Sequence, residues 1–163
     1  LTRIGNNCLL MVGAHVAHDC IVDDHVILVN NATLGGHVHV GEWGIIGGLS
    51  AIHQFVRVGK HAMIGGMSGV EQDVIPYGSV TGNRARLQGL NIVGLKRRSF
   101  SRDDIHEMRK AYRLIFAAEG TMAERLEDVA EDFGNNEAVM DILQFIRANT
   151  SRAICQPAMD DAA

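Results

Sequence analysis

Aromatic residues make up only 5% of this chain of 163 residues, and only two prolines occur in it. An interior of large stacked rings is therefore excluded, and the core has to be aliphatic. The three cysteines are odd in number and show no paired spacing, which argues against a disulfide framework. Cys8 and Cys20 read instead as small buried thiols in a reducing compartment. No apolar run is long enough to cross a bilayer. Charge of one sign is also lacking: 15 basic against 19 acidic residues leave a net charge of −4, without the basic excess that nucleic acid would require.

What is present is a strict period of six. From Ile4, every sixth residue is a bulky aliphatic: Ile4, Leu10, Val16, Val22, Leu28, Leu34, Val40, Ile46, Ile52, Val58, Ile64 and Val70. Four places further on, each hexad carries a small or modest residue, such as Cys8, Ala14, Cys20, Ala32, Gly44, Ser50 or Ala62. Neither a helix nor a simple alternating strand gives this period. A parallel β-helix does, with one short strand and one corner per hexad. Three hexads make a triangular coil of 18 residues, so residues 4–75 predict four coils. The abundant glycines, 18 in all, suit its corners. Solenoids end in atypical capping repeats, yet Leu1 already stands in repeat phase. The expectation is that further coils precede it and that this is the C-terminal part of a longer protein.

The fold class expected is thus mainly β, a coil stack over 1–76 followed by a connector over 77–100, a helical domain over 101–149 and a loose tail over 150–163. Pro76 removes a ladder donor and the hexad register stops there. Ser101, with Asp104 three residues on, is a good N-cap. Ile105, Met108, Tyr112, Ile115 and Phe116 form an apolar stripe at helical spacing that Gly120 closes. Met122, Leu126, Val129 and Phe133 mark a second helix, and Val139, Ile142, Leu143 and Ile146 a third.

Eight histidines are many for this length, and they concentrate in the repeats. Residues 18 apart lie one above the other on adjacent coils, about 4.8 Å apart. His18 therefore lies over Gly36, which lies over Gln54, and Asp19 lies over His37. A glycine amide beside a potential base is the raw material of an oxyanion hole.

The block Gly13-Ala14-His15-Val16-Ala17-His18-Asp19-Cys20, then Asn30-Asn31-Ala32-Thr33-Leu34-Gly35-Gly36-His37-Val38 and Ile52-His53-Gln54-Phe55, resembles the UDP-N-acetylglucosamine O-acyltransferase family. This is the hexapeptide-repeat family that opens lipid A synthesis. The stretch Gly89-Leu90-Asn91-Ile92-Val93-Gly94-Leu95-Lys96-Arg97-Arg98 is similar to the family's segment between coils and helices. The resemblance implies a left-handed β-helix, an exception to the usual crossover handedness. It also implies a cytoplasmic homotrimer of a Gram-negative-type bacterium, with active sites between subunits. The substrates implied are UDP-N-acetylglucosamine and a 3-hydroxyacyl group carried on the phosphopantetheine of acyl carrier protein, with no further cofactor and no metal.

By the same resemblance, His18 is the catalytic base, Asp19 orients it, and the Gly36 amide stabilises the oxyanion. His15, His37 and His53 line the cleft. Gln54, Asn91, Arg97 and Arg98 contact the nucleotide and its phosphates, and Gly66 bears on acyl-chain length. Val93 stands where the family carries an acidic residue, so the nucleoside end lacks one acceptor. Exposed Arg57, Lys60, Arg109, Lys110 and Arg113 are candidate contacts for an acidic carrier protein, on charge alone. Two rival activities share the coil architecture. One is the N-acyltransferase that acts on UDP-3-O-acylglucosamine. The other is a trimeric zinc hydro-lyase, in which imidazoles drawn from His15, His18 and His37 would converge on the ion from two subunits.

Overall fold

The computed structural model describes residues 1–148 and 151–158. Twelve two-residue strands wind into a triangular solenoid whose three faces repeat every 18 residues. The first face holds β1 (Arg3–Ile4), β4 (Ile21–Val22), β7 (His39–Val40) and β10 (Arg57–Val58). The second holds β2 (Leu9–Leu10), β5 (Ile27–Leu28), β8 (Ile45–Ile46) and β11 (Met63–Ile64). The third holds β3 (His15–Val16), β6 (Thr33–Leu34), β9 (Ala51–Ile52) and β12 (Gly69–Val70). All pairings between coils are parallel and in the expected register, as in Val22 opposite Val40 and Leu34 opposite Ile52.

The hexad explains itself in this geometry. The bulky aliphatics from Val22 to Val70 point inward and are buried, with Cys20, Val26, Ala32, Val38, Ser50 and Ala62 filling the corners beneath them. In the first coil the inward Ile4 and Leu10 remain 46% and 41% exposed, having a neighbouring coil on one side only. Each corner turns through one residue in the left-handed region: Asn7, Gly13, Asp19, His25, Asn31, His37, Trp43, Leu49, Phe55, His61 and Met67 all have φ between 55° and 77°. Asn, Asp and Gly take this conformation at little cost; the larger residues are held there by the ladder on either side.

The connector departs from the irregular segment expected. β13 (Gly78–Thr81) continues the second face parallel to β11, with Ser79 opposite Met63, and β14 (Arg86–Leu90) turns back antiparallel to it. The coil goes on past Pro76, but its spacing has shortened from 18 residues to 16, so the hexad signal vanishes while the architecture does not. Pro76 sits tightly on the fourth coil, where a side chain at Gly59 would strike its ring nitrogen.

A short helix, α1 (Ile92–Arg97), follows, capped by Asn91, whose side chain accepts from the Gly94 amide at 3.1 Å. Three longer helices are α2 (Arg102–Ile115), α3 (Met122–Phe133) and α4 (Glu137–Arg147). Ser101 caps α2 as expected, accepting from the Asp104 amide at 3.0 Å, but that helix ends at Ile115 rather than at Gly120. Ile105, Met108 and Ile115 pack with Val129, Val139, Ile142 and Leu143. Among the described residues, no helix is long and apolar enough to cross a membrane.

The tail is not loose where it is described. The Asp73 amide donates to Ala153 O at 2.8 Å, Cys155 N to Asp73 O at 2.8 Å and Leu87 N to Gln156 O at 3.0 Å, with Cys155 only 1% exposed. Its pairing is set by backbone groups left open at the end of the stack, which no side-chain period records. Residues 149, 150 and 159–163 of the expected boundaries lie outside the described residues.

Candidate active site

The corner between the third and first faces gathers the histidines. Asp19 occupies its left-handed position, with φ of 59°. This turns the carboxylate back so that Oδ2 lies 2.9 Å from His18 Nδ1. As a carboxylate at neutral pH, Asp19 accepts from His18 Nδ1–H, which leaves Nε2 of His18 as the lone-pair nitrogen.

On the next coil, His37 Nε2 lies 3.9 Å from Asp19 Oδ2, and its ring meets that of His18 edge-on at 5.1 Å. Phe55, one coil further, stacks on His37 at 4.7 Å with the planes 10° apart. Gly36 is a matter of space and not of backbone freedom, since its φ lies outside the left-handed region. A Cβ built there would lie 2.7 Å from His18 Nε2 and 2.8 Å from Cε1. The glycine lets the imidazole lie directly over the backbone. The Gly36 amide, like that of the first residue of neighbouring corners, donates to no acceptor among the described residues.

His15, His53 and Gln54 lie on or beside this same corner, and all three are exposed. His53 Nδ1 lies 2.7 Å from an Arg152 guanidinium nitrogen. Neither Phe55 nor Arg152 was among the expected site residues. The 18-residue register names Phe55 directly beneath His37, whereas Arg152 lies in the aperiodic tail and had no signal in the sequence.

The remaining expected site residues are elsewhere on the chain. Asn91 donates through Nδ2 to His61 O at 3.0 Å, and the Arg98 guanidinium lies 4.0 Å over the Trp43 ring. His61 and Trp43 belong to the corner between the first and second faces, so one chain does not bring these groups to His18. Arg97 is exposed at the end of α1. Gly66 lies at the third corner, stacked under Gly48, and its φ is not left-handed either. Val93 is exposed on α1.

One expectation needs correcting. Arg57 is tied into the fold, with Nε 2.8 Å from Asp73 Oδ2 and its guanidinium over the Phe145 ring at 4.1 Å. Lys60 reaches Asp141 Oδ2 at 2.6 Å. Both cations fasten α4 and the stack together, so as docking contacts they are poor candidates. Arg109, Lys110 and Arg113 remain exposed on α2. Among the described residues, the side chains of one chain close enough to share an ion are His18, Asp19 and His37, and His15 is not one of them.

Residues 73–155 match the family model described as UDP-N-acetylglucosamine O-acyltransferase, domain 2, and residues 1–36 match that of the bacterial transferase hexapeptide with six repeats. This chain belongs to the UDP-N-acetylglucosamine O-acyltransferase family. It is 57% identical over 157 residues to the acyl-[acyl-carrier-protein]–UDP-N-acetylglucosamine O-acyltransferase of Caulobacter vibrioides, covering 96% of this chain and 60% of that protein. For the enzyme of the same name from Rhizobium etli the identity is 46%, over 96% of this chain and 57% of the relative. The crystal structure of UDP-N-acetylglucosamine O-acyltransferase from Moraxella catarrhalis superposes with a TM-score of 0.91 at 38% identity, over 96% of this chain and 60% of that one. The solenoid is accordingly the family's left-handed β-helix. The chain spans about 60% of the length of the relatives it matches.

Proposed function

We propose that this chain carries the acyl-transfer site of a UDP-N-acetylglucosamine O-acyltransferase, which moves a 3-hydroxyacyl group from acyl carrier protein to the sugar 3-hydroxyl in the first step of lipid A synthesis. The observation that carries this reading is the His18–Asp19 pair lying over the bare backbone of Gly36. In this mechanism His18 Nε2 takes the proton of the sugar 3-hydroxyl as that oxygen attacks the thioester carbonyl. Asp19 stabilises the imidazolium that forms, and the Gly36 amide donates to the tetrahedral oxyanion. When the C–S bond breaks, the imidazolium gives its proton to the departing phosphopantetheine thiolate, which leaves as the thiol. Atoms and charge balance without a redox group or a metal. The acyl group arrives on the carrier's own phosphopantetheine.

The separation of the two corners supports a homotrimer. His18 and its neighbours stand at one corner of the prism, Asn91 and Arg98 at another. A second copy laid alongside brings a nucleotide corner to a catalytic corner, with Arg97 and Arg98 gripping the pyrophosphate and His15, His37, His53 and Gln54 lining the sugar side. Exposed Val93 offers the nucleoside apolar contact only. For the acidic carrier protein, α2 presents Arg102, His106, Arg109 and Arg113 at helical spacing. With Lys96 and Phe100, three of these line a cavity of about 390 Å³. The location that suits such a substrate set is the cytoplasm of a Gram-negative-type bacterium.

Complementation tests the shared site. Co-expression of His18→Ala with the double variant Asn91→Ala/Arg98→Ala, each impaired alone, is expected to restore about a quarter of the wild-type rate at low UDP-N-acetylglucosamine, the share of sites built from two intact corners. No restoration would place both functions within one chain. Chain length has its own test. Gly66 carries no side chain beside Gly48, whose carbonyl oxygen a Cβ there would meet at 3.3 Å, so Gly66→Met is expected to shift the preferred acyl donor to a shorter chain, read from competing donors of graded length. An unchanged profile would remove Gly66 from the site.

A further inference from the structure

The single tryptophan of the chain is unexplained by the solenoid. Trp43 stands at a left-handed corner position, φ 61°, where the adjacent coils of the same column carry His25 and His61 and the first carries Asn7. A bulky residue is disfavoured in that conformation, and nothing in the hexad asks for an indole there. The rings of the column nevertheless lie flat. His25 stacks on Trp43 at 4.0 Å with planes 6° apart, His61 follows at 6.4 Å and 14°, and Tyr77 stacks on His61 at 5.3 Å. Over the indole, 4.0 Å from its centroid, lies the Arg98 guanidinium.

Two further observations tie this column to Arg98. The Arg98 Nε is buried and has no hydrogen-bond partner among the described residues, and the same holds for His61 Nδ1. Among the described residues no carboxylate pairs with the guanidinium, and the indole face is its principal anchor there. The His61 ring is pushed down to about 4 by burial, then by the Arg98 and Lys60 cations. A neutral His61 leaves Arg98 unrepelled at neutral pH. Asn91 is fixed to the same coil through His61 O. Asn91 and Arg98, two of the groups assigned to the nucleotide, are thus mounted on one aromatic column.

We propose that Trp43 is a positioning residue for nucleotide binding, whose indole face holds the Arg98 guanidinium flat and unpaired so that its outer N–H groups meet a diphosphate. This rests on the reading that Arg98 contacts UDP-N-acetylglucosamine. A planar guanidinium stacked on a ring keeps its edge donors available, whereas a carboxylate partner would consume them. The column also removes the rotamer freedom that a long side chain otherwise loses on binding.

The test is calorimetric titration of UDP-N-acetylglucosamine into the protein as the cell makes it, with acyl transfer measured alongside. Trp43→Leu, which keeps apolar bulk and loses the π-face, is expected to weaken the Kd about tenfold, the scale of a desolvated cation–π contact. Trp43→Phe restores most of that loss, and Trp43→Leu adds nothing in an Arg98→Ala background. The KM for the acyl donor stays at the wild-type value in all of them, which separates this effect from general unfolding. An unchanged Kd in Trp43→Leu overturns the proposal, as does a loss that adds in full to that of Arg98→Ala. Wild-type protein that binds the nucleotide yet transfers no acyl group contradicts the proposed reaction while the Kd series still decides on Trp43.

Discussion

Replacing His18 by alanine is expected to lower kcat for acyl transfer by about 10²- to 10⁴-fold, the usual contribution of a positioned general base. The KM for UDP-N-acetylglucosamine should change little, because the proposed diphosphate contacts, Arg97 and Arg98, stand away from the His18 corner. The fold is not at stake: the His18 side chain is 73% exposed and makes its hydrogen bond to the adjacent Asp19. Steady-state rates with 3-hydroxyacyl carrier protein read the effect directly. A kcat within about threefold of wild type would show that a different group takes the proton, and would leave the Asp19 contact as a mere corner interaction.

The second large effect is expected from a single methyl group. Gly36→Ala places a Cβ 2.7 Å from His18 Nε2, well inside any real contact distance. The backbone can accept alanine, since φ at this residue is not left-handed, and the exposed imidazole is free to swing away. The loss therefore falls on catalysis and not on folding. We expect kcat to drop about 10²-fold or more while the thermal midpoint stays within a few degrees of wild type. Because the variant acts by displacing His18, it should add almost nothing to His18→Ala in the double variant. A fully additive loss would mean that the methyl harms the oxyanion site or the coil itself and leaves the base alone.

Much of the fold was legible because the solenoid is a one-dimensional repeat. Once the period of six was seen, the neighbours of every residue followed at a spacing of 18, which put Gly36 beneath His18 and His37 beneath Asp19 before any coordinate. The same register names Phe55 below His37 and Trp43 between His25 and His61. What the register cannot see is whatever lies off the period. The last coil shortens by two residues between Val70 and Val74, since Val74 already lies opposite Val58, so β13 and β14 fall outside the hexad register. Arg152 is brought to His53 by backbone pairing of an aperiodic tail. Charge alone suggested Arg57 and Lys60 as free surface cations, but Asp73 of the next coil pairs with Arg57, and Asp141 of α4 pairs with Lys60. That Asn91 and Arg98 stand at a different corner from His18 lies outside the register, because the course of the connector places them.

The most direct measurement is the product itself. The protein as the cell makes it is incubated with 3-hydroxyacyl carrier protein and UDP-N-acetylglucosamine, and the product is located by mass spectrometry and NMR. The account predicts one acyl group esterified at the sugar 3-hydroxyl, with release of the carrier thiol. No product from this acceptor, together with transfer to the free amine of an already O-acylated UDP-glucosamine, would contradict it.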